Sequence, residues 1–460
     1  MTDSKPISGY WAEFPVSYRA EQVATLLRWT AAGESGVVVG GSGSGKSNLA
    51  GFLSSRPDAI AAHTPQPERY RFLRLDINHL PELTAPYLYR GLFQTLAEAA
   101  DYLGPEVQQA MGQLSQGQVD WADSFVGMSR LRQAHRLVIR QAGQKVVWLL
   151  DRFDEACRRL DAQTLNSLRS LRDEFKGELC YVVFTRQPLA RLRDPREMDE
   201  FHEIIAANTC WVGPMVERDA RWVARQMAAR LQITFTEREV AQLIEVTGGL
   251  PAFLKLGCLA LAEGGFNPVE SSQTWTGRLL ARPEFQRNCQ EIWADLSLEE
   301  QNTLMTLRSG AAETMLDPTI IAYLEQARLL TRSAPGAAAR LFSPILAAFV
   351  AQQQGTAVGV IELHPKTRAV LRGGIPLNIE LTSYEDRLLA FMLDRPGEVC
   401  SKDTLIQAVW PGEQIIEGVR DDRLAQLIKR LREKIEPDAG HPVYIQTVHG
   451  RGYRFVQSGG

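Results

Sequence analysis

Residues 36–47 of this chain read GVVVGGSGSGKS. The run GVVV is short and apolar, as in a buried strand, and the eight residues that follow it fit the spacing GxxxxGK[ST] in full. Glycines at this spacing let successive backbone N–H groups turn toward phosphate oxygens, and the start of the next helix adds its dipole. A flexible Gly/Ser turn is the alternative, which the flanking strand and helix disfavour. The stretch therefore predicts a phosphate-binding loop.

The chemistry of this loop also predicts its ligands. The ammonium group of Lys46 can reach the β- and γ-phosphates of a nucleotide, and the hydroxyl of Ser47 is suited to ligate Mg²⁺. We therefore expect ATP or ADP, with Mg²⁺, as the cofactors. The loop residues expected to bind the nucleotide are Gly40, Gly41, Ser42, Gly43, Ser44, Gly45, Lys46, Ser47 and Asn48.

Four further apolar stretches have the pattern of strands. They alternate with segments of helical period, such as the one from Trp121 to His135. This alternation predicts an α/β fold in which helices pack on a parallel, doubly wound sheet. The strand candidates lie at about 71–77, 145–151, 178–185 and 204–213.

Changes of pattern along the chain divide it into five segments. Residues 216–350 read as almost entirely helical, and the polar stretch AQQQGTAVG at 351–359 has the composition of a linker. The expected segments are an α/β domain at 1–215, a helical lid at 216–284, a winged-helix-like domain at 285–350, a linker at 351–358 and a second winged helix at 359–460.

The bulk composition narrows the classes of protein. A formal net charge of −3 argues against a chain that coats nucleic acid throughout, because phosphate binding depends on Lys and Arg. Any contact with nucleic acid must then be local. With no run of about 18 apolar residues and no signal-peptide pattern, we expect a cytoplasmic protein without a membrane segment. The six cysteines form no CxxC pair, which favours buried reduced thiols over a zinc site or a disulfide framework.

A second apolar strand, VVWLL, runs into the sequence DRFDE, which begins at Asp151. A carboxylate at the end of such a strand, next to a phosphate-binding loop, is placed to hold Mg²⁺. The alternative is an acidic cluster that only stabilises the start of a helix. We expect Ser47 and Asp151 to form the metal side of the site.

With these motifs the chain resembles the STAND branch of the AAA+-like NTPases, which includes the NB-ARC proteins and is related to the origin-recognition ATPases. The resemblance covers about residues 10–350, and its last part is similar to the winged helix that STAND proteins place after their lid. It implies that Arg186, at the end of VVFTR, meets the γ-phosphate. It also implies that Pro251 of TGGLP packs near the adenine and that Arg19 of SYRAEQ lies near the nucleotide. Taken alone, Arg186 is equally consistent with a surface arginine, and Pro251 with a helix breaker.

One position departs from the pattern of this group. Many relatives carry a second acid directly after the metal-side aspartate, but this chain has Arg152 there. The general base for hydrolysis is then Asp154 or Glu155, if either, and we expect hydrolysis to be slow. The expected catalytic residues are Lys46, Asp151, Asp154, Glu155 and Arg186.

The pattern changes again from Gly359 onward. The segments LTSYEDRLLAFML, SKDTLIQAVW, VRDDRLAQLIKRLREKIEP and YIQTVHGRGYRF resemble, in this order, an OmpR/PhoB-type winged helix over nearly its whole length. The resemblance implies a domain that binds double-stranded DNA, with a recognition helix at about 421–435. In the first helix we expect Leu389, Phe391 and Leu393 to lie near the core.

The expected recognition helix has two faces. Leu424, Leu427, Ile428 and Leu431 supply a buried side, so basic and amide side chains turn outward toward a groove. Arginine suits guanine and glutamine suits adenine in the major groove, while the turn HGRG is typical of a basic wing tip. A solvated basic helix on a protein-binding domain is the alternative. The residues expected to contact DNA are Arg423, Gln426, Lys429, Arg430, Arg432, Thr447, His449 and Arg451.

Together these patterns give one leading hypothesis. The chain is expected to be an ATP-dependent STAND-type transcription regulator, in which the nucleotide state controls assembly of a homo-oligomer and sequence-specific binding of duplex DNA. An activating ligand or protein of unknown identity is a further expected partner. The alternatives are a DNA-remodelling ATPase like the origin-recognition group and a defence-associated signalling ATPase.

Overall fold

The chain folds as two compact units in the computed structural model. The first unit ends at Asp295 and also contains Glu325–Leu329, while the second contains Leu296–Leu324 and the chain from Leu330 onward. The five-segment division stays a prediction. The structure describes residues 10–116, 119–308, 313–334, 336–353, 360–364, 367–372, 375–377, 379–411, 419–436, 439–440, 442–448 and 450–457.

A parallel sheet forms the centre of the first unit, and its strands are β1 (Gly36–Val39), β2 (Tyr70–Asp76), β3 (Lys145–Asp151), β4 (Leu179–Thr185) and β5 (Thr209–Trp211). The order is β2-β3-β4-β1-β5, and all pairs are parallel. Every residue of β1 and β4 is buried; since successive side chains point to opposite faces, both faces of the sheet are covered. The predicted α/β fold is therefore confirmed.

One strand is shorter than its pattern predicts. The apolar stretch at 204–213 was expected to form β5, but the residues up to Ala206 belong to a helix that begins at Pro195. Asp194 caps that helix by accepting a hydrogen bond from the backbone N of Arg196 over 2.9 Å. A short apolar run does not distinguish the end of a helix from the start of a strand.

Fifteen α-helices of the first unit lie within the described residues. The loop before α2 and the start of α13 contain residues of the candidate site. The helices are α1 (Ala20–Ala31), α2 (Lys46–Ser55), α3 (Pro57–Ala61), α4 (Ala85–Ala100), α5 (Pro105–Ser115), α6 (Ser124–Arg136), α7 (Asp154–Arg159), α8 (Ala162–Glu174), α9 (Leu189–Leu192), α10 (Pro195–Ala206), α11 (Glu217–Arg230), α12 (Glu237–Thr247), α13 (Pro251–Ala262), α14 (Ser272–Leu280) and α15 (Pro283–Ala294).

The boundary between α12 and α13 follows from local backbone chemistry. Gly248 ends α12 in the left-handed region, at φ 61°, and Pro251 occupies the first turn of α13, where its missing N–H costs nothing. The proline of TGGLP therefore begins a helix rather than only breaking one.

The described part of the second unit opens with helices and one short hairpin. These elements are α16 (Leu298–Arg308), α17 (Pro318–Gln326), the antiparallel pair β6 (Leu330–Thr331) and β7 (Arg340–Leu341), and α18 (Pro344–Gln353).

A winged helix follows within the same unit. Its two antiparallel sheets have the orders β10-β9-β8 and β11-β13-β12, which confirms the predicted fold. The elements are β8 (Ile361–Leu363), β9 (Val370–Arg372), β10 (Ile375–Pro376), α19 (Ser383–Leu393), β11 (Val399–Cys400), α20 (Lys402–Val409), α21 (Val419–Ile435), β12 (Ile445–Val448) and β13 (Gly452–Phe455).

The core face of α19 differs slightly from the expected one. Leu388, Leu389 and Met392 are fully buried, whereas Phe391 and Leu393 are only partly buried at the edge of the core. The helix starts at a capping box, in which the Thr382 backbone N donates to the Glu385 carboxylate over 2.8 Å. This cap satisfies backbone N–H groups at the start of the helix.

Two further observations concern membrane-spanning helices and the cysteines. Within the described ranges, no helix combines the length and the apolar character that crossing a membrane requires. All six cysteines are buried.

A candidate nucleotide site and a candidate nucleic-acid interface

The loop between β1 and α2 adopts a conformation that glycine favours. Gly43 and Gly45 have φ values of 74° and 89°, in the left-handed region that L side chains rarely adopt. A Cβ atom on Gly43 would lie 2.6 Å from the Cβ of Ala252 in α13, so the loop also needs glycine for close packing. Because α2 begins directly at Lys46, its free N–H groups open toward the concave side of the loop.

Lys46 is held at the loop by backbone carbonyls. Its Nζ donates hydrogen bonds to the carbonyl oxygens of Gly40 and Gly41, the second over 3.3 Å. Burial lowers the pKa of Lys46 to about 8, while the nearby carboxylate of Asp154 acts in the opposite direction. A bound phosphate would therefore supply the negative charge that this buried ammonium group lacks.

Ser47 and Asp151, the two residues predicted for the metal side of the site, lie together in the structure. Ser47 Oγ donates to Asp151 Oδ1 over 3.0 Å, and Asp151 is 1% exposed. A hydroxyl and a carboxylate at this separation are oxygen donors of the kind that Mg²⁺ prefers, so these two residues fit the ion. The sequence pattern missed Arg74 on β2, which donates from Nη2 to Asp151 Oδ2 over 2.6 Å.

Arg19 contributes to the loop from outside it. Its guanidinium group donates to the Ser44 carbonyl over 2.7 Å and to the Gly213 carbonyl over 2.9 Å, and its backbone N donates to Asp219 of α11. Arg19 is 3% exposed and connects the phosphate loop, the exit of β5 and the first lid helix. Contact between Arg19 and a nucleotide stays a prediction, whereas its contact with the loop is direct.

The candidate catalytic acids lie at the start of α7. Asp154 accepts a hydrogen bond from the backbone N of Arg186 over 2.8 Å, which brings the ends of β3 and β4 together. Glu155 is exposed and paired with Arg158 over 2.8 Å. Arg152, where relatives carry an acid, is exposed and lies 3.8 Å from the carboxylate of Asp76. Both acids stay candidates for the general base.

These residues surround one cavity of about 750 Å³. Most of the predicted nucleotide residues line it, and Gly40, Gly41 and Arg19 lie behind its wall. The sequence pattern missed several lining residues, because they come from distant segments that only packing brings together. The full lining comprises Ser42, Gly43, Ser44, Gly45, Lys46, Ser47, Asn48, Asn78, Asp151, Arg152, Asp154, Glu155, Arg158, Arg186, Gln187, Pro251, Ala252, Lys255 and Asp295.

A smaller cavity of about 120 Å³ adjoins the first. The two share Asn48, Pro251 and Lys255 as lining residues. Its wall is largely aromatic and apolar, which suits a flat heterocycle rather than a phosphate. The remaining lining residues are Tyr10, Phe14, Tyr18, Met215, Trp222, Val223, Gln226, Met227 and Arg230.

In the winged helix, α21 separates its side chains as predicted. Leu424, Leu427, Ile428 and Leu431 are buried in the core. The opposite face is exposed and carries positive charge, which is the arrangement that a helix needs to enter a groove of nucleic acid. Its exposed predicted residues are Arg423, Gln426, Lys429 and Arg430.

Arg432 makes contacts inside the domain. It donates from Nη2 to the Ile445 carbonyl over 2.6 Å and to the Thr447 hydroxyl over 2.9 Å. These bonds tie α21 to the hairpin β12–β13. Contact of Arg432 and Thr447 with DNA stays a prediction, and the structure adds a positioning role that the sequence did not indicate.

The hairpin β12–β13 carries the predicted wing tip. Val448 pairs with Gly452 at its end, and Arg451 between them is exposed. Gly450 adopts a φ of 72°, a turn conformation that glycine favours. His449 lies outside the described residues. Among the described residues, the wing therefore presents Arg451 as an exposed basic residue.

With this geometry in place, comparison with known proteins decides the family. The model of the family described as Novel STAND NTPase 1 matches residues 18–264, which is more than half of the chain. The chain belongs to this family. The matched region begins just before Arg19 and extends past Pro251, so it includes every lining residue of the larger cavity except Asp295. The match assigns a P-loop NTPase domain to residues of the first unit.

A second family model covers the C-terminal region. The family described as "Transcriptional regulatory protein, C terminal" matches residues 377–455, which confirms the OmpR/PhoB-type domain. The phosphate regulon transcriptional regulatory proteins PhoB of Klebsiella pneumoniae and of Escherichia coli strain K12 are each 27% identical to the chain over 226 residues. Each alignment covers 43% of this chain and 90% of the relative.

Two solved structures are similar to separate parts of the chain. The Walker-type ATPase of Pyrococcus abyssi is 13% identical, with 76% of this chain and 99% of that chain covered and a TM-score of 0.42. The RstA DNA-binding domain of Klebsiella pneumoniae in complex with the RstA box is 25% identical, with 22% and 94% covered and a TM-score of 0.19.

Proposed function

We propose that the first unit binds ATP and ADP with Mg²⁺ in the cavity beside the phosphate loop. The observation that carries the proposal is the convergence of Lys46, Ser47 and Asp151 at one end of this cavity. The loop N–H groups and Lys46 would hold the phosphates, and Ser47 and Asp151 would hold the ion. Bound Mg²⁺ would neutralise charge on the phosphate oxygens.

The smaller aromatic cavity supports an adenine at the other end. Pro251 and Asn48 line both cavities, so a nucleotide whose phosphates lie on the loop can extend its base toward them. Lys255 also borders both spaces and is placed to meet the sugar or the α-phosphate. This arrangement explains why TGGLP lies beside the phosphate loop.

The winged helix is the proposed reader of double-stranded DNA. In this reading α21 enters the major groove, where Arg423 and Arg430 suit guanine and Gln426 suits adenine. Lys429 and Arg451 would contact phosphates or the minor groove and provide affinity without much sequence discrimination. The PhoB relatives are transcriptional regulators by their names, and transcription control is the output proposed here.

The proposed mechanism is a slow switch that assembles on DNA. Arg152 replaces the second acid of the relatives, and Glu155 is paired with Arg158, so water activation falls to Asp154 or to this paired Glu155 and bound ATP should persist. Bound ATP shifts the equilibrium between two assembly states only if it stabilises one state more than the other. A contact between Arg186 and the γ-phosphate would supply that difference in stabilisation. Multimers would hold several readers on adjacent half-sites and so raise the effective affinity.

One experiment separates this proposal from its alternatives. Footprinting of the full chain on genomic fragments, with ATP, with ADP and without nucleotide, should reveal protected promoter sites whose occupancy depends on the nucleotide. A DNA-remodelling ATPase would instead show hydrolysis that DNA stimulates, together with strand opening. Nucleotide-dependent assembly without any DNA protection would indicate a signalling ATPase of the defence-associated kind.

A further inference from the structure

The last helix of the first unit ends against the phosphate loop. Glu291 of α15 accepts a hydrogen bond from Ser42 Oγ of the loop. At the end of the same helix, the backbone carbonyl of Asp295 accepts a hydrogen bond from Gln187 Nε2 over 2.6 Å. Gln187 follows Arg186 at the end of β4. The C-terminal end of α15 therefore contacts both the phosphate loop and the segment that follows β4.

Asp295 is one of the residues that line the cavity. Among the described residues, its Oδ2 is buried without a hydrogen-bond partner. Burial raises the pKa of Asp295, while the positive charges of Arg186 and Lys46 act in the opposite direction. Arg186 and Lys46, the two cations expected to contact the γ-phosphate, are thus the same cations whose charges act on the carboxyl group of Asp295.

We propose that Glu291 and Asp295 are specificity-determining residues that make this arrangement of the site select ADP over ATP. The inference rests on the proposed nucleotide binding. The phosphates of ADP end at the loop, whereas the γ-phosphate of ATP adds negative charge in the space between Lys46 and Arg186. Like charges a few ångströms apart repel each other, so the carboxylates of Glu291 and Asp295 oppose ATP there.

Asp295 also lies at the boundary between the two units in the chain. Asp295 is the last residue of the first unit at this junction, and the next residue, Leu296, begins the second unit. ATP binding in this site requires the Asp295 carboxyl group to move away or to take up a proton. Any such displacement of Asp295 occurs at the boundary of the first unit in the chain.

The test measures the affinities of the full chain for ADP and for ATP, both with Mg²⁺, by displacement of a fluorescent ADP. Asp295→Asn and Glu291→Gln remove a charge each and keep the size, and Glu291→Gln retains an acceptor for Ser42. Each variant should raise the affinity for ATP relative to ADP by about tenfold, with the ADP affinity nearly unchanged. Glu284→Gln, an exposed position on the same helix, is the matched control and should change neither affinity.

The outcomes distinguish this inference from the proposed function. If the unmodified chain binds neither nucleotide, the proposed function fails. If it binds ADP but the ratio of affinities is unchanged in both variants, or ATP binding alone weakens, the selectivity is overturned and the nucleotide site stands. An equal change for both nucleotides also overturns it, since the carboxylates would then act only on the position of the loop. Retained ADP binding shows that each variant is folded.

Discussion

Ser47 Oγ donates a hydrogen bond to Asp151 Oδ1 over 3.0 Å and so joins the first turn of α2 to the end of β3. The two residues are 104 positions apart in the chain. Asp151 is the last residue of β3, and Ser47 follows the loop after β1, which belongs to the same parallel sheet. In open α/β sheets the carboxyl ends of the strands are where ligands bind. The pair therefore marks the place where an ion and the phosphates would meet.

The charge of Asp151 should set the dependence of nucleotide binding on Mg²⁺. Asp151→Asn retains the acceptor for Ser47 but removes the charge that would hold the ion. We expect Mg²⁺ to strengthen ATP binding by at least about tenfold in the unmodified chain, and to have little effect in the variant. Titrations with Mg²⁺ and with EDTA measure this. Asp101→Asn, an exposed change outside the cavity, is the control, and an equal Mg²⁺ effect in all three proteins would exclude Asp151 as the ion's ligand.

Removal of Lys46 should weaken nucleotide binding most. Lys46→Ala deletes the buried cation at the loop, and a charge-assisted hydrogen bond of this kind contributes about 1.5 to 3 kcal/mol, or roughly 10- to 100-fold in affinity. Equilibrium titration with labelled ATP tests it. Lys176→Ala changes an exposed lysine of the same unit and should bind ATP normally. Unchanged affinity in Lys46→Ala would remove the basis of the phosphate-site assignment.

Two arginines of the winged helix should behave differently on DNA. Arg430→Ala on α21 should relax base preference at one position, at a cost of about 1 to 3 kcal/mol on the best sequence. Arg451→Ala at the wing should instead weaken binding to all sequences and reduce its salt dependence. Gel-shift titrations with a preferred and a scrambled duplex at several salt concentrations separate the two effects. Identical effects of both changes on every duplex would contradict this division.

His135 should make the first unit less stable in acid. It is fully buried, and its Nε2 accepts a hydrogen bond from Trp148 Nε1 over 3.0 Å, so the proton of the neutral ring is on Nδ1, beside the Leu131 carbonyl. Burial lowers the pKa of His135 from 6.5 to about 4. Between these values the unfolded chain binds more protons than the folded one, so stability falls as the pH falls.

The size of this effect of pH on stability follows from the difference between the pKa values of His135 in the unfolded and folded chain. A pKa difference of this size corresponds to about 3 kcal/mol of unfolding free energy, lost between about pH 6.5 and pH 4. Urea unfolding at a series of pH values measures it. His135→Gln should lose this component of the pH dependence, while His63→Gln, at an exposed position, should keep it. Parallel pH profiles for the unmodified chain and His135→Gln would show that the histidine is not responsible.

Local patterns in the sequence were sufficient for the fold and for one end of the site. The phosphate loop and the alternating faces of α21 are each encoded in one continuous stretch of sequence, and the structure has them where the patterns predict. The apolar strands also lie where predicted, except that β5 is shorter than its pattern. Gln187, Lys255 and Asp295 were missed as cavity residues, because their positions depend on how distant helices pack. Phe391 and Leu393 pack against the core, as the pattern predicts, but they are only partly buried, because periodicity alone does not fix how deeply each residue of a helix is buried.

Arg19 and Arg432 illustrate a second limit. Both were predicted to contact a ligand, since arginine in these motifs commonly does. In the structure their guanidinium groups donate to backbone carbonyls of Ser44 and Ile445, respectively. A sequence reveals the charge of a side chain but not which acceptors the fold places beside it.

The central claim is that the nucleotide state controls assembly and DNA binding. Its most direct test is the mass of the full chain in solution with ADP, with ATP, and with ATP on Arg186→Ala, with DNA affinity measured on the same samples. We predict a larger species and tighter DNA binding with ATP, and a mass and affinity close to those of the ADP state for Arg186→Ala. The same mass and the same DNA affinity in all three samples would contradict the switch.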